Sequence, residues 1–212
     1  MAEREAACLE ADRYLFAALR FARRDAKPWL VAVGGLTGTG KTTAARLLSS
    51  VLPANAISAD ETRKRLAGLG PNVHRYLPTG EGLYSPKMNR AVYQQLAERA
   101  ETAIRRGDWA IIDATFRRQA DRAVFRELAG RLGARFLFVE CASAEDVVRA
   151  RLEVREAQGG DPWSDGRWDT YRSQLAAFEP LTAPERSDAL VLLTELGRVE
   201  QANLVLQRLA YP

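Results

Sequence analysis

Residues 35–42 read Gly35-Leu36-Thr37-Gly38-Thr39-Gly40-Lys41-Thr42 and satisfy every fixed position of the pattern Gly-x4-Gly-Lys-Ser/Thr. This stretch constrains the fold more than any other, because the pattern specifies backbone geometry. Its glycines permit turns that gather successive N–H groups onto one point. A helix beginning at the lysine turns the positive end of its dipole toward that point. Such a cradle fits phosphate oxygens, and it forms between a strand ending at the first glycine and a helix starting at the last. Both flanks comply: Trp29 to Val33 is an apolar run suited to a strand buried on both faces, and TTAARLLSSVL follows with helical character.

The rest of the chain repeats that alternation. A first amphipathic helix is expected in EAACLEADRYLFAALRFARR, with Leu9, Tyr14, Leu15, Ala18, Leu19 and Ala22 on its apolar face, ending at Asp25 to Pro28. Strands are expected at 29–33, 56–59, 109–113, 134–140 and 189–194. Helices are expected from Lys41, over 60–69, from Ser85-Pro86 to Arg106, and over 120–132, 144–157, 171–178 and 199–209. Glycine- and proline-rich loops fall at about 70–84 and 159–169. Strands alternating with helices predict an α/β fold with a five-stranded parallel sheet covered on both faces, and ligands at the carboxyl ends of the strands. The expected division is an N-terminal helix or linker over residues 1–28 and one nucleotide-binding domain over 29–212, with a lid at about 149–168.

Composition removes competing classes. The 212 residues, 47% hydrophobic and 27% charged, match one domain with a sizeable core. No window offers the roughly 18 to 20 apolar residues of a bilayer span, and the opening MAEREAACLEADR lacks a secretory signal core, so a cytoplasmic protein without a membrane partner is expected. Cys8 and Cys141 are too few for a disulfide framework or a CxxC site and are expected to be buried or idle thiols; the one histidine, His74, is read as structural or incidental. Residues 60–106 hold nine Lys or Arg against five Asp or Glu, which is the whole net charge of +4. An anion is expected to meet that region.

Gly35, Thr37, Gly38, Thr39, Gly40, Lys41, Thr42 and Thr43 form the expected nucleotide-binding set. Lys41 would reach the β- and γ-phosphates of ATP, and Thr42 would place its hydroxyl on Mg²⁺, while Asp113 could hold a Mg²⁺-bound water or orient an arginine. The chain lacks the guanine-reading NKxD, and Asp113 is followed by Ala114 rather than the glutamate of a hydrolytic motor. Both absences favour phosphoryl transfer to a substrate. Asp60 lies 19 residues after Lys41 at the end of the second predicted strand, where it could accept a hydroxyl proton, with Arg63 and Lys64 on the same helix face. Arg151 and Arg155 share a face before the glycine-rich loop and could neutralise charge on the moving phosphoryl group. Blander roles stay open: Asp60 as a helix N-cap, Asp113 as the cap of a turn, the arginines as salt-bridged helix surface with Glu153 and Glu156. Trp163, Trp168 and Tyr171 are either packing or a stacking platform for a base or sugar.

The runs GGLTGTGKTT, DETRKRL, IIDATFRR and VRARLEVREAQGGDP together resemble the P-loop kinase family that includes phage-type polynucleotide 5′-hydroxyl kinases, chloramphenicol phosphotransferase and zeta-toxin-like kinases. The resemblance is strongest to the ATP-binding kinase module fused behind aminoglycoside-phosphotransferase-like domains. It implies an ATP- and Mg²⁺-dependent phosphotransferase with an alcohol-group acceptor. By that resemblance Asp60 is the general base, Arg63 an acceptor-phosphate contact, Arg151 and Arg155 contacts to ATP and the transition state, and Lys41 the catalytic lysine. The fused relatives imply a small polar hydroxyl acceptor and an aminoglycoside-phosphotransferase-like partner domain, while the charge on residues 60–106 suggests an anionic acceptor, a phosphorylated metabolite or, as an alternative, a nucleic-acid 5′ end. An ATP-binding regulatory module without its own acceptor is the competing class. Residues 70–90 depart from the polynucleotide kinases in carrying no motif that reads a nucleic-acid end.

Overall fold

The computed structural model describes residues 2–22, 27–70, 82–158 and 166–210, with the side chains of the first helix described for residues 3–14. The five strands are β1 (Trp29–Gly34), β2 (Ala56–Ser58), β3 (Ala110–Asp113), β4 (Arg135–Ala142) and β5 (Ala189–Leu193). They form one parallel sheet in the order β2-β3-β1-β4-β5. The expected fold class is met: a P-loop α/β sheet flanked by helices.

The period of two along β1 sorts its side chains between two cores. Trp29, Val31 and Val33 meet Ala44, Ala45, Leu48 and Val51 of α2 (Lys41–Val51) and Val205 and Leu209 of α9 (Arg198–Ala210). Leu30 and Ala32 turn the other way. They join the stripe Val92, Leu96, Ala100 and Ile104 on α4 (Pro86–Arg105), together with Phe125, Leu128 and Ala129 on α5 (Gln119–Arg131). All six residues of β1 are buried, so the sheet's middle strand stands where the loop that follows it is held most firmly.

Remaining helices are α1 (Ala2–Ala22), which packs on α2 and α9; α3 (Ala59–Leu66); α6 (Glu145–Ala157); α7 (Trp168–Ala176); and the short α8 (Ala183–Arg186). Ser85 caps α4 by accepting from the Met88 N–H at 3.3 Å, and Pro86 occupies its first turn, as the sequence predicts. Several expectations shift. Tyr14 is exposed, not on the buried face of α1, because five residues from Leu9 carry it roughly 140° around the helix. Helix α3 stops at Leu66 rather than 69, since Gly68 takes a left-handed φ of 68°. Helix α7 runs from 168 to 176 rather than 171 to 178. Among the described residues no helix is long and apolar enough to cross a membrane.

Candidate active site

Gly38 and Gly40 adopt φ of 80° and 91°, conformations that L side chains rarely hold, and they bend the loop between β1 and α2. A Cβ on Gly38 would lie 2.8 Å from Val148 Cγ1, so α6 approaches the loop backbone closely. The loop is pinned from several sides. Gly35 N–H donates to the Thr115 carbonyl at 3.2 Å, and the Thr39 hydroxyl to the Leu36 carbonyl at 2.8 Å. The Thr194 hydroxyl donates to the Thr39 carbonyl at 2.6 Å, and the Thr37 N–H to Gln174 Oε1 at 2.8 Å.

Within the loop lies a cavity of about 50 Å³ lined by Gly38, Gly40, Lys41, Thr42, Thr43, Arg46 and Arg155. Three of these side chains are cations, so the cavity suits a polyanion. Arg46 was not expected from the sequence, although its spacing was the available signal: it follows Thr42 by one helical turn and shares its face.

Asp113 ends β3 beside this cavity and is 4% exposed. Burial pushes its carboxyl pKa up. The Lys41 charge, a hydrogen bond from the Thr42 hydroxyl and, least, the Arg46 charge pull it down, while the Asp60 charge pushes it up again. Asp113, Lys41, Thr42 and Asp60 therefore sit within electrostatic reach of one another at the ends of β3, β1 and β2. The Asp113 Oδ1 is buried and has no partner. An orphaned carboxylate oxygen beside a hydroxyl fits the oxygen donor set of a hard divalent cation such as Mg²⁺.

The blander role for Asp60 is corrected: the N-cap of α3 is Ser58, whose hydroxyl accepts from the Glu61 N–H at 3.4 Å, and half-buried Asp60 stands in the first turn. Arg63 and Lys64 do not share an open cleft with it, since both are buried. Arg63 Nη1 donates to the Leu83 carbonyl at 3.2 Å and to Asn89 Oδ1 at 2.7 Å, and its guanidinium lies 5.0 Å from the Tyr84 ring centre. It fastens α3 to the start of α4.

The two arginines of α6 part company. Arg155 lines the loop cavity. Arg151 donates through Nη1 to the Thr194 hydroxyl at 2.8 Å and the Ser143 hydroxyl at 3.3 Å, and through Nη2 to the Thr194 carbonyl at 2.9 Å. Glu156 pairs with Arg167 at 3.7 Å instead of with either of them. Trp168 and Tyr171 stack on each other at 5.1 Å, with the Arg149 guanidinium 4.4 Å from the Trp168 ring, and Tyr171 is buried against Leu36, Val148 and Leu152. These rings pack the protein. Trp163 and His74 lie outside the described residues, as do 71–81 of the region expected to meet an anion and 159–165 of the expected lid. Cys141 is buried beneath the loop, its thiol pushed up to about 12 by burial, whereas Cys8 is exposed rather than buried.

An AAA domain family, AAA_33, matches residues 30–181. Uncharacterized proteins of Mycobacterium tuberculosis and Mycobacterium bovis are each 33% identical over 132 residues, 62% of this chain and 26% of theirs; the chain thus spans about a quarter of the length of these relatives. Among solved structures, a sugar kinase from Janibacter sp. is 22% identical with a TM-score of 0.65, covering 87% of this chain and 95% of that one. An APS kinase of Mycobacterium tuberculosis, bound to AMPPNP and APS, is 19% identical with a TM-score of 0.58, covering 87% and 99%.

Proposed function

The chain belongs to the AAA domain family AAA_33, and from that premise we propose that it is an ATP-dependent kinase moving the γ-phosphoryl group to a hydroxyl of a small polar or anionic acceptor. One observation carries the reading: the loop cavity is lined by Lys41, Arg46 and Arg155, with the buried Asp113 at the end of β3 and the half-buried Asp60 in the first turn after the neighbouring strand β2. A half-exposed carboxylate at that point suits a general base for a hydroxyl held next to the terminal phosphate.

In this mechanism the amides of Gly38 to Thr43 receive the phosphate oxygens, and Lys41 sets a point charge against the β- and γ-phosphates. Asp60 takes the proton from the acceptor hydroxyl as its oxygen bonds to the γ-phosphorus. The bond from that phosphorus to the β–γ bridging oxygen breaks, and ADP carries off the electron pair. Arg155 and Arg46 balance charge on the transferring group and the leaving diphosphate. Thr42 and Asp113 would hold Mg²⁺, which when bound supplies further charge neutralisation. Arg151 and Arg63 act from behind, by fixing β5 and α4.

Similarity to a sugar kinase and an APS kinase supports a small hydroxyl acceptor over a polynucleotide end. The division at residue 28, a lid over about 149–168 and a cytoplasmic setting belong to the same proposal. A second reading, an ATP-binding module whose acceptor site is completed by an aminoglycoside-phosphotransferase-like partner domain, is supported by the mycobacterial relatives being about four times longer than the matched span. The test is transfer from γ-labelled Mg·ATP to a panel of sugars, nucleosides, aminoglycosides and 5′-hydroxyl oligonucleotides. Label on one acceptor, lost in Asp60→Asn, is the expected result. Nucleotide binding with no labelled acceptor would favour the second reading.

A further inference from the structure

The Thr37 N–H belongs to the phosphate loop, yet it donates to a side chain 137 positions away in sequence, Gln174 Oε1 at 2.8 Å. Thr37 is only 4% exposed. A buried amide without an acceptor would bear its full desolvation penalty, so the bond is not a casual one. Because a peptide unit is planar, it also fixes the plane joining Leu36 to Thr37, and with it the direction from which the next amides turn toward the cavity.

Gln174 is held in turn by the packing of its helix. Tyr171, one turn earlier on α7, is buried with Leu36 of the loop and with Val148 and Leu152 of α6, in a small cluster apart from the two main cores. That same α6 carries Arg155 to the cavity. The loop, α6 and α7 therefore form one packed unit, in which Leu36 provides the apolar contact and Thr37 the polar one.

We propose that Gln174 is a positioning residue for nucleotide binding: it holds the Thr37 peptide in the phosphate-receiving shape and makes nucleotide affinity depend on the docking of α6 and α7. This rests on the reading of the loop as a nucleotide site. By linkage, a nucleotide that favours the docked arrangement strengthens the docking by the same factor that the docking strengthens nucleotide affinity. Gln174 touches no reacting atom, and its effect passes through the Thr37 backbone.

The experiment titrates the full chain with Mg·AMPPNP by calorimetry and records its melting temperature, for wild type, Gln174→Met and Gln174→Glu. Methionine keeps the length and removes the acceptor. Its Kd is expected to rise about three- to tenfold, the worth of one net hydrogen bond. Glutamate keeps an oxygen acceptor and is expected to recover most of that loss at about 0.5 M salt, where its added charge is screened. Wild-type binding with an unchanged Kd in Gln174→Met overturns the proposal even if the melting temperature falls, because the residue then serves packing alone. A Kd for Gln174→Glu no better than that of Gln174→Met at high salt also overturns it. Wild type that binds no nucleotide overturns the functional reading and this proposal together.

Discussion

Arg151 and Arg155 differ by a single helical turn, but their neighbours separate their roles. Arg155 reaches the loop cavity, whereas Arg151 is occupied by Thr194 and Ser143. Arg155→Ala is therefore expected to lower kcat by about 10³-fold or more at saturating ATP, within the range for a transition-state arginine. Arg151→Ala should lower the melting temperature and have a smaller effect on kcat, because it loosens α6 from Thr194 and Ser143 without removing a group that faces the cavity; steady-state kinetics beside thermal melts separates the two. Lys41→Ala is expected to abolish transfer. Asp60→Asn should cut kcat by about 10² to 10⁴ with little change in the KM for ATP, as loss of a general base does. The loop residues and Asp60 were legible because glycine, lysine and a strand-end carboxylate carry their chemistry in their spacing. Gln174 and Thr194 were not, since nothing near either residue in sequence marks it as a partner of the loop.

Two elements owe their positions to contacts at long range. Arg122 on α5 is buried and donates to Glu185 on α8 at 2.7 Å, to the Phe116 carbonyl at 3.1 Å and to the Glu179 carbonyl at 3.0 Å. Burial pushes the Glu185 carboxyl up, but bonds from Arg122 and Thr182 outweigh it and hold the group at about 2, against an ordinary 4.5. A depressed carboxylate stabilises the fold above its unfolded pKa and loses that contribution as pH falls through its folded value. Melting temperature should fall from about pH 4.5 toward pH 2, and Glu185→Gln should flatten that slope while costing about 1–3 kcal/mol at neutral pH. Thermal melts across that range check both. Leu152→Ala would open the cluster that docks α6 and α7 on the loop, and it is expected to weaken nucleotide binding as well as lower the melting temperature. Neither α8 nor this cluster was expected from the sequence: four residues carry no usable period, and a cluster shared by three elements has no local pattern.

At the scale of the molecule, the order β2-β3-β1-β4-β5 puts the ends of β1, β2 and β3 side by side, which brings Lys41, Asp60 and Asp113 together from segments separated by as many as 72 positions in sequence. The helix α1 packs on α2 and α9, with Leu9 against the core those two helices share, and contributes no residue to the cavity lining. Removing residues 1–26 should lower the melting temperature while leaving the Kd for Mg·AMPPNP roughly unchanged, which calorimetry beside a thermal melt would check. The amino-acid sequence by itself determined the parallel α/β class, the glycine-rich turn between β1 and α2 and the strand-end position of Asp60 and Asp113, because strand alternation, glycine placement and strand-end position are local properties of a chain. Tertiary structure alone decided that Ser58 rather than Asp60 caps α3, that Arg63 and Arg151 face protein while Arg46 and Arg155 face the cavity, and that Gln174 holds the loop. A side chain's direction and its partner depend on which other elements pack beside it, and that is fixed only when the whole sheet and its helices come together.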